Sequence, residues 1–242
     1  MMTTLWISAL LLASPPASAV TASSSAFAEA DRLYFHRHQG RNLEDSIALL
    51  EARPGGDPES LWRLGRSLLR LGERRDTKKE KLGVYVRAEG LLRRAVGLSP
   101  RSAEAHYWLG IAMGRRGQTR GVIRSLFLIG PLRRKMRTVL ELEPGHGGAH
   151  HVLGAMLLEI PAVAGGDKKA AVRELETAAR LEPGYSPHFT ALAEAYMAVG
   201  ERGKAKAALE RIFAIQQPAD PGEYDDNVKE AHEMLGRLGV AQ

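Results

Sequence analysis

The chain has 242 residues, no cysteine and a formal net charge of +6 at pH 7. The lack of cysteine excludes disulfides, thiolate metal sites, a cysteine nucleophile and a lipid-modified N-terminal cysteine, so stability must come from packing alone. Ala, Leu, Arg and Glu dominate over aromatic and β-branched residues, which favours helix and predicts almost no sheet.

In chain order, the apolar run Leu5–Ala13 is followed by Ser14-Pro15-Pro16 and Ala17-Ser18-Ala19, which reads as a signal segment over residues 1–19 cut after Ala19. No Lys or Arg precedes the run, and it is shorter than the ~20 residues of a membrane span. This predicts an exported protein, periplasmic or secreted. Five helix hairpins are then expected over residues 26–54, 58–100, 102–144, 146–183 and 185–218, and the first fits its pattern weakly. An acidic linker and a capping helix follow in 219–242, with Val228, Ala231, Met234, Leu235 and Leu238 on one stripe of Glu223–Leu238. About eleven helices result.

The hairpins rest on a recurring phrase: Pro54 then Leu64-Gly65, Pro100 then Leu109-Gly110, Pro144 then Leu153-Gly154, Pro183 then Leu192-Ala193. Proline stops the second helix of one hairpin, and the Gly or Ala in the next helix permits close helix approach. The second helices present Ala88, Leu92 and Ala95, then Leu132, Met136 and Val139, then Ala171, Leu175 and Ala178 at helical spacing, as one buried face.

These residues carry a resemblance. The stretches AEAHYWLGIAMGRRGQ with TVLELEP, and FTALAEAYMAVGERGKAKAALERIFAIQQP, look like tetratricopeptide repeat units, and the likeness runs from Ala26 to Pro218. It implies an all-α, right-handed superhelix of antiparallel hairpins. The Pro-to-Pro intervals are 46, 44, 39 and 35 residues where the family keeps a constant period near 34, so residues are inserted at 73–84, 117–131 and 161–166. Insertions on one edge often build a binding wall. The longer units and the phrase PAVAGGDKKAAVRELETAARLEPGY are similar to the periplasmic tetratricopeptide T component associated with TRAP-type transporters, and more distantly to the regulators of microtubule dynamics.

In such repeats the first helix of each hairpin lines the concave groove, which puts Trp62, Arg63, Arg66, Arg70, Tyr107, Trp108, Arg115, His151, Glu159 and Glu194 among the candidate ligand or partner contacts. Arg63, Arg66 and Arg70 at i, i+3 and i+7 share a stripe that can fork onto carboxylates or phosphates, or can pack their stems on neighbouring helices. Residues 58–137 hold 20 Lys/Arg against 6 Asp/Glu, so an anionic peptide or small organic anion is the expected partner of the middle, unless the charge only solvates the surface. The run Val122–Leu132 among arginines suits an anionic membrane surface if exposed, or starts a second helix if folded back, the reading preferred here.

His146, His150 and His151 lack the Glu spacing and the third ligand of a helical zinc site, and no metal or cofactor is predicted. Gly165-Gly166-Asp167-Lys168-Lys169 follows no strand and reads as a turn with Asp167 as a helix cap. No catalytic arrangement is evident, and export argues against nucleic acid. The expected role is a non-catalytic binding or scaffold module, accessory to a solute-uptake or envelope complex. A small-ligand protein and an anionic-surface binder are the alternatives.

Overall fold

The computed structural model describes residues 27–53, 55–121 and 127–240. The signal segment 1–19, Pro54, and residues 122–126 of the arginine-ringed apolar run lie outside the described residues. Among those described there are eleven α-helices, one short 3₁₀ turn and no strand.

Two compact units divide between Pro144 and Gly145. The first holds three hairpins: α1 Ala28–Phe35 with α2 Asn42–Glu51, α3 Pro58–Glu73 with α4 Lys78–Leu98, and α5 Ala103–Arg120 with α6 Ile129–Leu142. The second holds α7 Gly147–Glu159 with α8 Lys168–Leu181 and α9 Ser186–Ala198 with α10 Arg202–Phe213, then α11 Pro221–Val240.

Local chemistry sets the boundaries. Helix α3 begins with Asp57 accepting the Glu59 and Ser60 amides at 3.2 and 3.3 Å, and Pro58 occupies the first position, where no amide is needed. Helix α4 opens with a reciprocal capping box between Thr77 and Glu80. Ser102 caps α5, and Asp167 caps α8 by accepting the Ala170 amide at 2.9 Å. Three stops repeat one pattern: α4, α6 and α8 end two residues before Pro100, Pro144 and Pro183. The intervening Ser99, Glu143 and Glu182 have φ of −134°, −141° and −131°, because a following proline disfavours helical backbone.

Within each hairpin the second helix buries the expected stripe: Ala88, Leu92 and Ala95, then Leu132, Met136 and Val139, then Ala171, Leu175 and Ala178. It packs on the small residue of the first helix. A Cβ on Gly65 would lie 2.5 Å from Leu92 Cγ, one on Gly110 2.4 Å from Met136 Cε, and one on Gly154 2.6 Å from Leu175 Cγ and 3.2 Å from the Ala171 carbonyl. Gly72 is a further close approach, since its Cβ would meet the Tyr85 ring at 2.3 Å. Ala193 is buried in the same role in α9, between Leu192 and Ala195.

The expected insertions are mostly helix. Residues 73–84 contain only a four-residue link, because α4 starts at Lys78 and runs 21 residues. Residues 117–131 include the last turn of α5 and the first of α6, with Leu132 buried and Phe127 78% exposed. Residues 161–166 form the 3₁₀ turn Ala162–Ala164, closed by Gly165 at φ +92°. At Gly166 a Cβ would fall 1.7 Å from the Ile160 carbonyl oxygen, so only glycine fits. Helix α11 covers the end of the second unit with Ala231, Met234 and Leu238, and Val228 and Leu235 pack at its edge.

Candidate interaction surface

In the first unit, α1, α3 and α5 are tied together through the predicted arginine stripe. Arg63 and Arg66 both bind Asp31 of α1, with Arg63 Nε donating to Asp31 Oδ2 at 3.0 Å. Arg63 Nη1 also donates to Glu59 Oε2 at 2.6 Å, and Glu59 accepts the Trp62 indole N–H at 2.9 Å. Arg70 donates to the Tyr34 hydroxyl at 3.2 Å and pairs with Glu73, whose other oxygen accepts from Arg115 at 2.8 Å. Aromatic faces complete the cover: Arg63 lies 4.4 Å from the Phe27 ring centroid and Arg66 3.7 Å from that of Tyr34. Four guanidinium groups therefore stand among three carboxylates and a set of rings.

The stripe at i, i+3 and i+7 exists, and its charge is spent inside the fold. The acid that neutralises most of it, Asp31, sits outside the basic window of residues 58–137, which is why a local charge count overstated the stripe. Positive charge instead reaches the surface on α4 and α6, through exposed Arg94, Arg134 and Arg137. Glu89, buried on α4, accepts from Arg93 at 2.6 Å and pairs with Arg116 of α5 at 2.8 Å. Glu89 is a buried carboxylate with two less buried arginine partners, which the apolar phrase did not flag.

Trp62, Tyr107, Trp108 and His151 are 6%, 0%, 1% and 0% exposed, so as ligand contacts these four are corrected to packing residues. The three histidines separate, each with its own partner. His146 caps α7 by accepting the Ala149 amide at Nδ1, His150 donates to Glu174 at 2.7 Å, and His151 Nδ1 shares a 3.0 Å hydrogen bond with His188 Nδ1. His188 Nε2–H donates in turn to Glu182 at 2.9 Å. His106 of α5 lies between helices: Nε2–H donates to the Pro100 carbonyl at 2.9 Å and Nδ1 accepts from Lys135 of α6 at 3.0 Å. Burial lowers the pKa of both His106 and Lys135, and the nearby Arg93 adds to the effect on Lys135.

In the second unit, Glu159 of α7 and Glu194 of α9 remain partly open to solvent. Burial, then the Glu194 charge, pushes Glu159 up to about 8. Burial also raises Glu194, with Glu230 of α11 adding repulsion and Arg237 opposing it. Glu230, exposed on α11, is shifted the same way by partial desolvation, with Arg237 opposing. Three helices thus bring carboxylates within electrostatic reach on one face, and Glu230 is the member the sequence reading missed.

Antiparallel helix pairs within each unit, with Gly65, Gly110 and Gly154 at the close approaches and Pro100, Pro144 and Pro183 after α4, α6 and α8, define a tetratricopeptide-like repeat protein. The chain belongs to the family described as regulator of microtubule dynamics protein 1-3, whose profile matches residues 26–170. A solved structure of TTC0263, a thermophilic TPR protein in Thermus thermophilus, is similar in fold at 20% identity, covering 87% of this chain and 98% of that one with a TM-score of 0.64. MamA from Desulfovibrio magneticus, residues 41 to the end, matches at 15% identity over 82% of this chain and 97% of that one, with a TM-score of 0.48. No curated protein matches the chain significantly.

Proposed function

We propose that this protein is a non-catalytic interaction module of the exported compartment, accessory to an envelope or solute-uptake complex, and that it recognises partner proteins through its first helices. The repeat architecture supports the interaction role, since such folds present side chains from successive first helices on a continuous surface. The N-terminal segment 1–19 supports export, and the PAVAGGDKKAAVRELETAARLEPGY stretch supports kinship in role with the transporter T component.

The observation that carries the reading is the set of partly exposed carboxylates on α7, α9 and α11. Glu159 is raised by burial and then by the Glu194 charge, and Glu194 by burial and then by the Glu230 charge, so a cationic partner segment would offset the repulsion among the three. The partner of the second unit is therefore basic in this reading. The mature chain, immobilised, is expected to capture a defined protein from envelope extract, and Glu159→Lys with Glu194→Lys is expected to abolish that capture. Undiminished capture by the double variant would reject the carboxylate site, and absence of any defined partner would reject the module reading.

A second reading is contact of the first unit with an anionic surface, favoured by exposed Arg134, Arg137 and Phe127. Flotation of the chain with anionic vesicles, absent with neutral ones, is its test.

A further inference from the structure

The first unit contains an open basin of about 320 Å³ on the side where α2, α3 and α4 meet. Its floor is Leu50, Leu61, Leu64 and Leu91, and its rim carries Arg53, Arg87 and Arg94 against the single acid Glu51. Arg87 and Leu91 are four residues apart on α4 and Arg94 three further, so one stripe of α4 supplies an apolar centre between two guanidinium groups. Glu51 is bridged by Arg87, and the Arg53 guanidinium carbon lies over the Phe27 ring, 4.3 Å from its centroid. Arg94 is exposed and has no acceptor among the described residues.

We propose that this basin docks a short acidic segment of a partner protein, with one apolar side chain on the leucine floor and flanking carboxylates on Arg87 and Arg94. Charge complementarity selects an anionic occupant: the one acid of the rim, Glu51, is already bridged by Arg87, and Arg94 adds an exposed guanidinium. Shape selects a macromolecule, because small-molecule sites enclose most of their ligand, whereas this basin is open and shallow enough to receive a single projecting side chain. The apolar floor gives the contact a specificity that a surface of arginines alone lacks. The inference rests on the interaction-module reading, but it concerns a different unit and a partner of opposite charge from the carboxylate face.

The test is titration of the full chain, ¹³C-labelled at leucine methyl groups, with a synthetic peptide of four glutamates around one leucine. The expected result is saturable shifts at Leu50, Leu61, Leu64 and Leu91, with affinity reduced roughly tenfold in Arg94→Glu. Gly55→Trp should block the basin without changing charge, since Gly55 lines it with open space at its Cβ and an ordinary φ. Lys79→Glu, which makes the same charge change at the exposed start of α4, should leave binding within about twofold. Equal losses in Arg94→Glu and Lys79→Glu, or retained binding in Gly55→Trp, would overturn the proposal as unspecific attraction. So would methyl shifts produced by anionic vesicles or laurate and not by the peptide. If Arg94→Glu loses the peptide while the envelope capture above persists, the basin stands as a second site; if the parent chain captures no envelope protein and the peptide still binds, the basin stands and the envelope-module reading falls.

Discussion

Gly110 and Gly154 hold the same place in the repeat, yet their neighbours differ in what they can yield. The atom against Gly110 is Met136 Cε, the free end of a flexible side chain, while Gly154 faces Leu175 Cγ and the Ala171 carbonyl. Alanine gains about 1 kcal/mol of helix propensity at either site. At Gly110 that gain offsets most of the crowding, and Gly110→Ala is expected to change stability by less than about 1 kcal/mol. At Gly154 overpacking of about 1–3 kcal/mol dominates, so urea melts should show Gly154→Ala clearly the less stable of the two. Glu159 gives a residue-scale test of electrostatics. Its folded pKa of about 8 lies above the ordinary 4.5, so between those values the fold binds more protons than the unfolded chain. Stability from this group is complete below about pH 4.5 and declines as pH rises toward 8. The melting temperature of Glu159→Gln should therefore fall less than that of the parent between pH 5 and pH 8.5, and parallel curves would show that the carboxylate is well solvated.

At the scale of elements, α1 has eight residues and is held through Asp31, which serves Arg63 and Arg66 at once. Removing one partner of a buried ion pair costs about 3–5 kcal/mol, and the partial exposure of Asp31 reduces that to about 2. Asp31→Ala is expected to loosen the α1–α2 hairpin first, seen as new proteolytic cleavage between residues 36 and 53 while α3–α6 stay protected. Helix α11 makes the opposite case, since it is joined to the second unit by apolar contact. Deleting residues 219–242 exposes the Leu209, Ile212 and Tyr196 side of the core, and the truncated chain should bind a hydrophobic dye that the parent does not. The basic stripe belongs at this scale too. Its spacing on α3 was legible, because helical geometry is local. Its neutralisation was not, because Asp31 reaches it from 32 and 35 residues away.

For the whole molecule, each unit has its own hairpins and its own apolar core, and helical repeats are stabilised by their nearest neighbours. A fragment of residues 145–242 is accordingly expected to fold alone, with helical circular dichroism and one cooperative thermal transition; a featureless melt would contradict it. The helices, their proline stops and the buried second-helix stripes were all determined by sequence. Each follows from interactions within one turn or one hairpin, and a periodic pattern records such interactions directly. The fate of the charged and aromatic side chains on the first helices was decided only in three dimensions. Trp62, Tyr107, Trp108 and His151 went inside, Arg63 and Arg66 found Asp31, and Glu159 met Glu194 across two helices. The physical reason is range: a residue's burial and the sign of the charge beside it depend on partners tens of residues distant, which chain folding brings together and local spacing does not encode.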